Sequence, residues 1–466
     1  MSALLSCMQI PTLLIPSIAS SSSSSITTRE KKHHQCIHIP THSLKHQLHS
    51  QSPTPRVIKC FSNRQSQSTE QEFEFEFERL FSNLNQATLT RESGSLSSAI
   101  FLVAGTTVGA GILAIPAVTQ EAGFLASAVA VILCWIFMVV TGLLIAEVNV
   151  NTMCELGSGG VSLVSMAMRT IGTVGVQIAS WSYIFIHYAL LVAYVARSSD
   201  ILTNFLGIPF QRFIGAANGA LVVGIIISFT ALVFVASGDL QWNALLKANF
   251  EAVPMSIPII ALSFVYQNVV PVLCTNLEGN LSKVRTAIVV GTSIPLGLFL
   301  VWNAVILGSI SGLEMSSGQI VDPIQQLRSS NGAVGPIIEV FSFLAIATSY
   351  IGFILGLSDF LADLLKLPSG QSSPQPYLLT LIPPLVLSLL DPEIFFKALD
   401  FAGTYGVLVL FGILPAVMSW SDRYSSSSPS MTIPRIVPRG KLTLSLVIGV
   451  AGYIILSEIL EKFGLP

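Results

Sequence analysis

Seven residues in a long apolar run, Gly105-Thr106-Thr107-Val108-Gly109-Ala110-Gly111, carry the most suggestive chemistry in the chain, with Pro116 following closely. A helix interrupted by glycines releases backbone N–H and C=O groups that would otherwise bond within it. Such groups can replace water around a carboxylate and an ammonium in a low-dielectric medium, and the N-terminus of the second half favours the anion. Glycine tolerates the required dihedrals and lets a ligand approach the backbone. Thr106, Thr107, Val108, Gly109, Ala110 and Gly111 are therefore candidate ligand-binding residues. The competing use is a close helix contact, since Gly105 and Gly109 stand at small-xxx-small spacing.

A second interruption follows at Phe264-Val265-Tyr266-Gln267-Asn268-Val269-Val270-Pro271, after Pro254 and Pro258. Asn and Gln at mid-membrane depth are costly unless paired, so Tyr266, Gln267 and Asn268 should face a cavity or another helix. Phe264 could stack on an aromatic ligand or serve as ordinary packing. Another apolar segment holds Ser182, Tyr183, His187 and Tyr188. A lone intramembrane histidine, His187, is either a proton relay or a satisfied structural donor. Glu147, close to the end of an apolar segment, is a coupling-ion candidate, or else a buried polar partner or an interfacial residue. Thr348 and Ser349 are adjacent hydroxyls on a further apolar segment, a common form of packing glue. Nothing resembles a nucleophile elbow, an HExxH pair or a metal-ligand cluster, so neither an enzyme nor a cofactor is expected. The six cysteines form no close pairs, which removes zinc and disulfide frameworks.

The elements that position these residues follow from composition. Charged residues make up 10% of the 466 and apolar ones 52%, too few polar groups to cover a core of this size. Lipid must be the solvent. Apolar runs of about 20 residues point to helices and exclude the short alternating strands of a barrel. Ten segments are expected, near 97–117, 122–147, 172–197, 213–236, 254–276, 286–310, 336–357, 377–396, 398–420 and 442–462. The fold expected is an all-α polytopic membrane protein with a transmembrane domain over 97–462 and a basic loop at 421–441. No basic stripe suggests nucleic acid. Two interrupted segments in corresponding places indicate a transporter built from inverted repeats.

Residues 1–60 differ from the rest, with an unbroken serine run from Ser20 to Ser25, six of the seven histidines, and Glu30 as the single acid. A serine-rich, basic, acid-poor leader indicates an organelle transit peptide. The context Val57-Ile58-Lys59-Cys60 resembles plastid processing sites and places cleavage near Cys60. Residues 61–96 form an acidic tail, expected on the stromal side. In it Phe73, Phe77, Leu80, Phe81 and Leu84 recur at helical spacing, which fits a helix lying on the membrane as well as a solvated tail.

Three separated stretches, beginning at Phe101, Phe264 and Leu344, resemble the bacterial tyrosine/tryptophan permease family in family order, over about Ser97 to Trp420. Together with the leader, the chain resembles plastid-targeted plant members of that family. The resemblance implies a LeuT-like five-plus-five inverted repeat with an extra C-terminal helix. It also implies alternating-access transport of tyrosine, tryptophan or phenylalanine, coupled to protons rather than sodium. The resemblance further implies that the third span lines the site, which makes Tyr183 a candidate binding residue. By the same resemblance Thr348 and Ser349 lie on the span whose hydroxyls hold sodium in sodium-coupled relatives, which makes them coupling-ion candidates. The expected location is a plastid membrane, the inner envelope rather than the thylakoid.

The family has eleven spans and this chain ten. The shortfall falls between the third and fourth segments, where Ser198 to Arg212 is too short for a helix. Cation counts agree: ten spans leave seven Lys and Arg inside and nine outside, whereas one more helix there makes it eleven and five. A splice or gene-model variant lacking a helix near Phe210 is the expectation; the rival is that Ser198–Arg212 dips into the membrane without crossing. If all ten segments cross, the two interrupted ones enter from the same side. Carriage of another metabolite, and a non-transporting product or regulatory membrane subunit, are the competing functions.

Overall fold

The computed structural model describes residues 94–109, 111–156, 161–202, 227–234, 241–310, 334–365, 367, 374–390, 394–424 and 435–463. The expected leader, the acidic tail up to residue 93, Ala110, the junction at 203–212 and residues 425–434 of the basic loop lie outside the described residues. So does the side chain of Thr348.

Every regular element described is helical. The first apolar run forms α1 (Leu96–Thr107) and α2 (Gly111–Thr119), bent by 52° where they meet. Then come α3 (Gly123–Leu156), the short α4 (Leu163–Ile171) and α5 (Thr173–Leu202). The second interrupted run forms α6 (Ile257–Ser263) and α7 (Val270–Asn276). After it stand α8 (Leu281–Ile310), α9 (Val334–Leu365) and α10 (Pro374–Leu390). Next, α11 (Ile394–Phe401) passes through a π-helical stretch, Ala402–Ile413, into α12 (Leu414–Tyr424), and α13 (Lys441–Lys462) closes the chain. Among the described residues, seven helices are long and apolar enough to cross a membrane, or eight with the bent pair α1–α2 counted as one span; α10 is a shorter apolar helix. Of the expected fourth segment only residues 227–234 are described, and they are helical.

One short helix went unforeseen. α4 is amphipathic and has sharp ends: Ser162 accepts the Ser165 amide at 3.1 Å, and Gly172, at φ 81°, receives the chain in a conformation other residues avoid.

The two interrupted runs lie antiparallel. The amide of Gly94, just before α1, donates to Asn276 O at the end of α7 (3.0 Å). The start of α2 meets the end of α6, where a Cβ added to Gly111 would sit 2.6 Å from Ser263 Oγ and 3.0 Å from its Cα. The same-side entry expected if all ten segments cross is not what these two runs show: their directions oppose, and their breaks face each other.

Each interrupted run is followed by a long helix, α3 and α8; these two pack together, and α8 also packs against α1 and α2. Polar ties cross that interface: Trp135 Nε1 donates to Thr292 Oγ1 (3.0 Å) and Asn303 Nδ2 to Ser127 Oγ (2.8 Å). Asn303 Oδ1 also accepts from Thr119 Oγ1 (3.0 Å). A buried amide satisfied on both sides fixes register between apolar surfaces that would otherwise slide. On the far flank α5 packs against α9, α10, α11 and the π-helical stretch.

The cations separate by end. Arg169, Lys283, Arg285, Arg423, Arg435, Arg439 and Lys441 stand where α3 finishes and α8 and α13 begin. Arg197, Lys247, Lys397 and Lys462 stand at the other end. The first will be called the basic end. Two buried clusters tie it together. Glu147 of α3 forms a bidentate pair with Arg423 of α12 (2.7 and 2.8 Å), and its Oε2 also accepts from the Ile436 amide (3.2 Å). Asp422 bridges Arg169 of α4 and Asn151 of α3.

Candidate functional site

The first break is built to leave backbone free. Thr106 and Thr107 turn their hydroxyls back onto their own helix: Thr106 Oγ1 donates to Leu102 O (2.9 Å) and Thr107 Oγ1 to Val103 O (2.8 Å). Val108 is extended (φ −79°, ψ 100°), its amide still bonded to Ala104 O at 3.0 Å. The α2 ladder restarts with the Ile112 amide on Gly109 O (3.2 Å). The last carbonyls of α1 and the first amides of α2 have no partner within their own helices. Small residues keep the gap narrow: a Cβ on Gly109 would stand 2.6 Å from Ser349 Oγ on α9.

The second break is held by side chains. Phe264 and Val265 close the last turn of α6 through Ala261 O (3.1 Å) and Leu262 O (3.2 Å), and α7 starts through a tight turn at Gln267–Val269. Tyr266 and Gln267 are fully buried and point into α3 rather than toward the first break. Tyr266 Oη donates to Met138 O (3.0 Å); Gln267 Nε2 reaches Met138 O (3.3 Å) and Thr141 Oγ1 (3.2 Å). Gln267 Oε1 takes the Tyr266 amide at 3.0 Å. The Tyr266 ring fills the place a side chain at Gly142 would need. Phe264, 1% exposed, packs edge-on against Phe299 with centroids 5.0 Å apart. Asn268 alone of the three polar candidates is exposed.

The third wall comes from α5 and α9. Ser349 touches the first break at Gly109 and bonds to the Tyr194 hydroxyl. Tyr194 was not singled out from sequence. It lies seven residues beyond His187, two turns along the same face, and that spacing was the available signal. Tyr183 and His187 sit toward the basic end from it, His187 by about 10 Å along the helix axis. His187 is 6% exposed; its Nδ1 is 2.8 Å from Tyr183 O, and its ring lies 3.9 Å from Tyr183 and 5.0 Å from Phe353. Tyr183 also meets Phe360 at 4.5 Å, so an aromatic lining runs between α5 and α9 below the breaks. Tyr188 turns away and donates to Leu379 O of α10 (2.8 Å).

Glu147 lies apart from this group. Six residues separate it from Thr141, about 9 Å along α3, and both carboxylate oxygens are held by Arg423. A carboxylate so paired serves packing of the basic end. The geometry brings together Gly109, Gly111, Ser263, Ser349 and Tyr194; it places Tyr266 and Gln267 behind the second break and Glu147 at the end of the bundle. Facing helix breaks of this kind offer carbonyls to a cation and amides to an anion within one small volume, beside an aromatic wall.

Known proteins agree with a carrier. The tryptophan/tyrosine permease family matches residues 92–212 and 208–458. The chain is 29% identical over 405 residues to the tyrosine-specific transport system 2 of Haemophilus influenzae, covering 78% of this chain and 96% of that protein. It is 28% identical over 416 residues to the tryptophan-specific transport protein of Shigella flexneri, covering 81% and 98%. To the low affinity tryptophan permease of Escherichia coli it is 25% identical over 407 residues, covering 78% and 97%. With two matched pieces spanning nearly all of the helical bundle, this multi-pass membrane chain belongs to the tryptophan/tyrosine permease family and is a permease, not an enzyme.

Proposed function

We propose that the chain carries aromatic amino acids (tyrosine, tryptophan or phenylalanine) across a plastid membrane by proton-coupled alternating access. The observation that carries this reading is the antiparallel meeting of two broken helices at Gly111 and Ser263. Opposed breaks, each followed by a long helix, are what a LeuT-like five-plus-five repeat produces. The relatives named for tyrosine and tryptophan transport supply the substrate class. In this reading the backbone at Thr106, Thr107, Val108, Gly109, Ala110 and Gly111 binds the amino and carboxyl groups, with Asn268 at the second break. Tyr266 and Gln267 hold that break open from behind. Tyr183 lines the path for the ring, and His187 exchanges the coupling proton. Ser349, with Thr348, orders the first break. Uptake of radiolabelled tyrosine, tryptophan and phenylalanine into proteoliposomes, with and without an inward proton gradient, tests this. Gradient-driven uptake of at least one is expected; uptake of none would overturn it.

A second reading keeps the family and removes the transport, and one set of observations favours it. The family match comes in two pieces that meet at 208–212. The alignment to the Haemophilus influenzae protein is 405 residues long yet uses 78% of a 466-residue chain, about 363 residues. The remaining 40 or so positions would make one span with its connections. The end of α5 and the start of α6 also stand at the same end of the bundle. An even number of crossings should separate them, whereas 203–256 contains one long hydrophobic stretch, 213–236. On this second reading the chain is a variant lacking one helix. The cation-rich end then faces the stroma, the leader at 1–60 directs import, and the inner envelope is the destination. Sequencing the transcript across this junction decides the origin of the gap. Uptake by a helix-restored version but not by this chain would establish the non-transporting product.

A further inference from the structure

We propose that the groove between α12 and α13 at the basic end is a binding site for a membrane lipid with an anionic headgroup. The groove has a volume of about 720 Å³, enough for part of an acyl chain and a glycerol backbone. Val417, Trp420, Ile448 and Gly449 line its apolar depth, with Tyr424, Ser421 and Ser445 contributing polar edges. It opens to the membrane: α13 is the least enclosed of the spans, at 17%, and shows Leu442, Leu446 and Val450 to its surroundings. Gly449 is exposed on the groove wall, and a Cβ built on it meets nothing within 4 Å, so the space beside it is open.

What singles out the occupant is charge. Arg435, Arg439 and Lys441 are all exposed beside the groove and have no carboxylate partner among the described residues. The neighbouring acids Glu147 and Asp422 are already held by Arg423 and Arg169. Two of the three cations frame the aromatic edge: the Lys441 ammonium lies 5.0 Å and the Arg435 guanidinium 5.7 Å from the Tyr424 ring centroid. Left-handed backbone at Arg439 (φ 67°) and Gly440 (φ 51°) folds the chain so that all three cations lie beside the start of α13. That start has no side-chain cap. A phosphate or sulfonate at this height would meet the cations and aromatic hydroxyl while its chain follows Trp420 into the groove. Basic pockets between helices are the usual receptors of such headgroups. Because α12 also carries Asp422 and Arg423, the lipid would buttress the ion pairs that close the basic end.

The test uses the purified full chain in nanodiscs containing brominated phosphatidylglycerol or brominated phosphatidylcholine, read by tryptophan quenching. Phosphatidylglycerol should quench more strongly, and the excess should vanish in Trp420→Phe, which identifies Trp420 as the reporter. Arg435→Gln and Lys441→Gln should each weaken the preference about fivefold. Gly449→Leu, which fills the groove without meeting a neighbour, should abolish the Trp420 component for both lipids. Equal quenching by the two lipids, an excess that survives Trp420→Phe, or a preference untouched by the charge or groove variants would each overturn the proposal.

Discussion

The two helix breaks face each other but are made differently. The first is made by omission: glycines at 105, 109 and 111, threonine hydroxyls spent on their own helix, and no side chain reaching out to fix the gap. The second is made by bracing, with Tyr266 and Gln267 bonded into α3 at Met138 and Thr141. Groups left unbonded remain available to a ligand; groups already bonded hold a frame. In the function proposed above, the contrast gives binding to the first break and rigidity to the second, although the polar letters in the sequence are concentrated in the second.

That assignment orders the expected effects of substitution. Gly111→Leu drives a side chain into Ser263 Oγ and Cα, and should abolish uptake while the protein remains monodisperse in size-exclusion chromatography. Gly142→Ala forces the Tyr266 ring off α3 and should act on folding first, lowering stability by about 1–3 kcal/mol in a thermal-shift assay. Tyr266→Phe removes a single hydrogen bond to a carbonyl that Gln267 still contacts. A loss of about 1 kcal/mol is expected, with the KM for tyrosine close to unchanged. If Tyr266→Phe instead raised the KM tenfold or more, the second break would be binding substrate and the contrast would fail. Outside both breaks, Glu147→Ala strands the buried Arg423 guanidinium and should cost about 3–5 kcal/mol without altering substrate selectivity.

The apolar runs and both interruptions were legible in the sequence because they rest on local periodicity and on glycine and proline. Side-chain direction was not. Nothing near Tyr266 or Gln267 announces that their partners lie more than a hundred residues earlier on α3. Likewise Glu147 reads as a candidate ion-binding carboxylate until Arg423, 276 positions away, closes on it. α4 was missed because it is short and carries Arg169, yet Ser162 and Gly172 mark both of its ends. The relative direction of the two interrupted runs depends on how many segments cross between them. That is a property of the whole chain, which the hydropathy of any one segment does not carry.

Equilibrium binding of radiolabelled tyrosine to the purified chain, compared between Gly109→Leu and Gly105→Leu, tests the facing-break account most directly. A Cβ on Gly109 meets Ser349 at the gap, while one on Gly105 meets nothing within 4 Å on the same helix. The account predicts that the wild-type chain and Gly105→Leu bind tyrosine with similar affinity and that Gly109→Leu does not bind it. Equal binding by the two variants, or loss in Gly105→Leu alone, would contradict it.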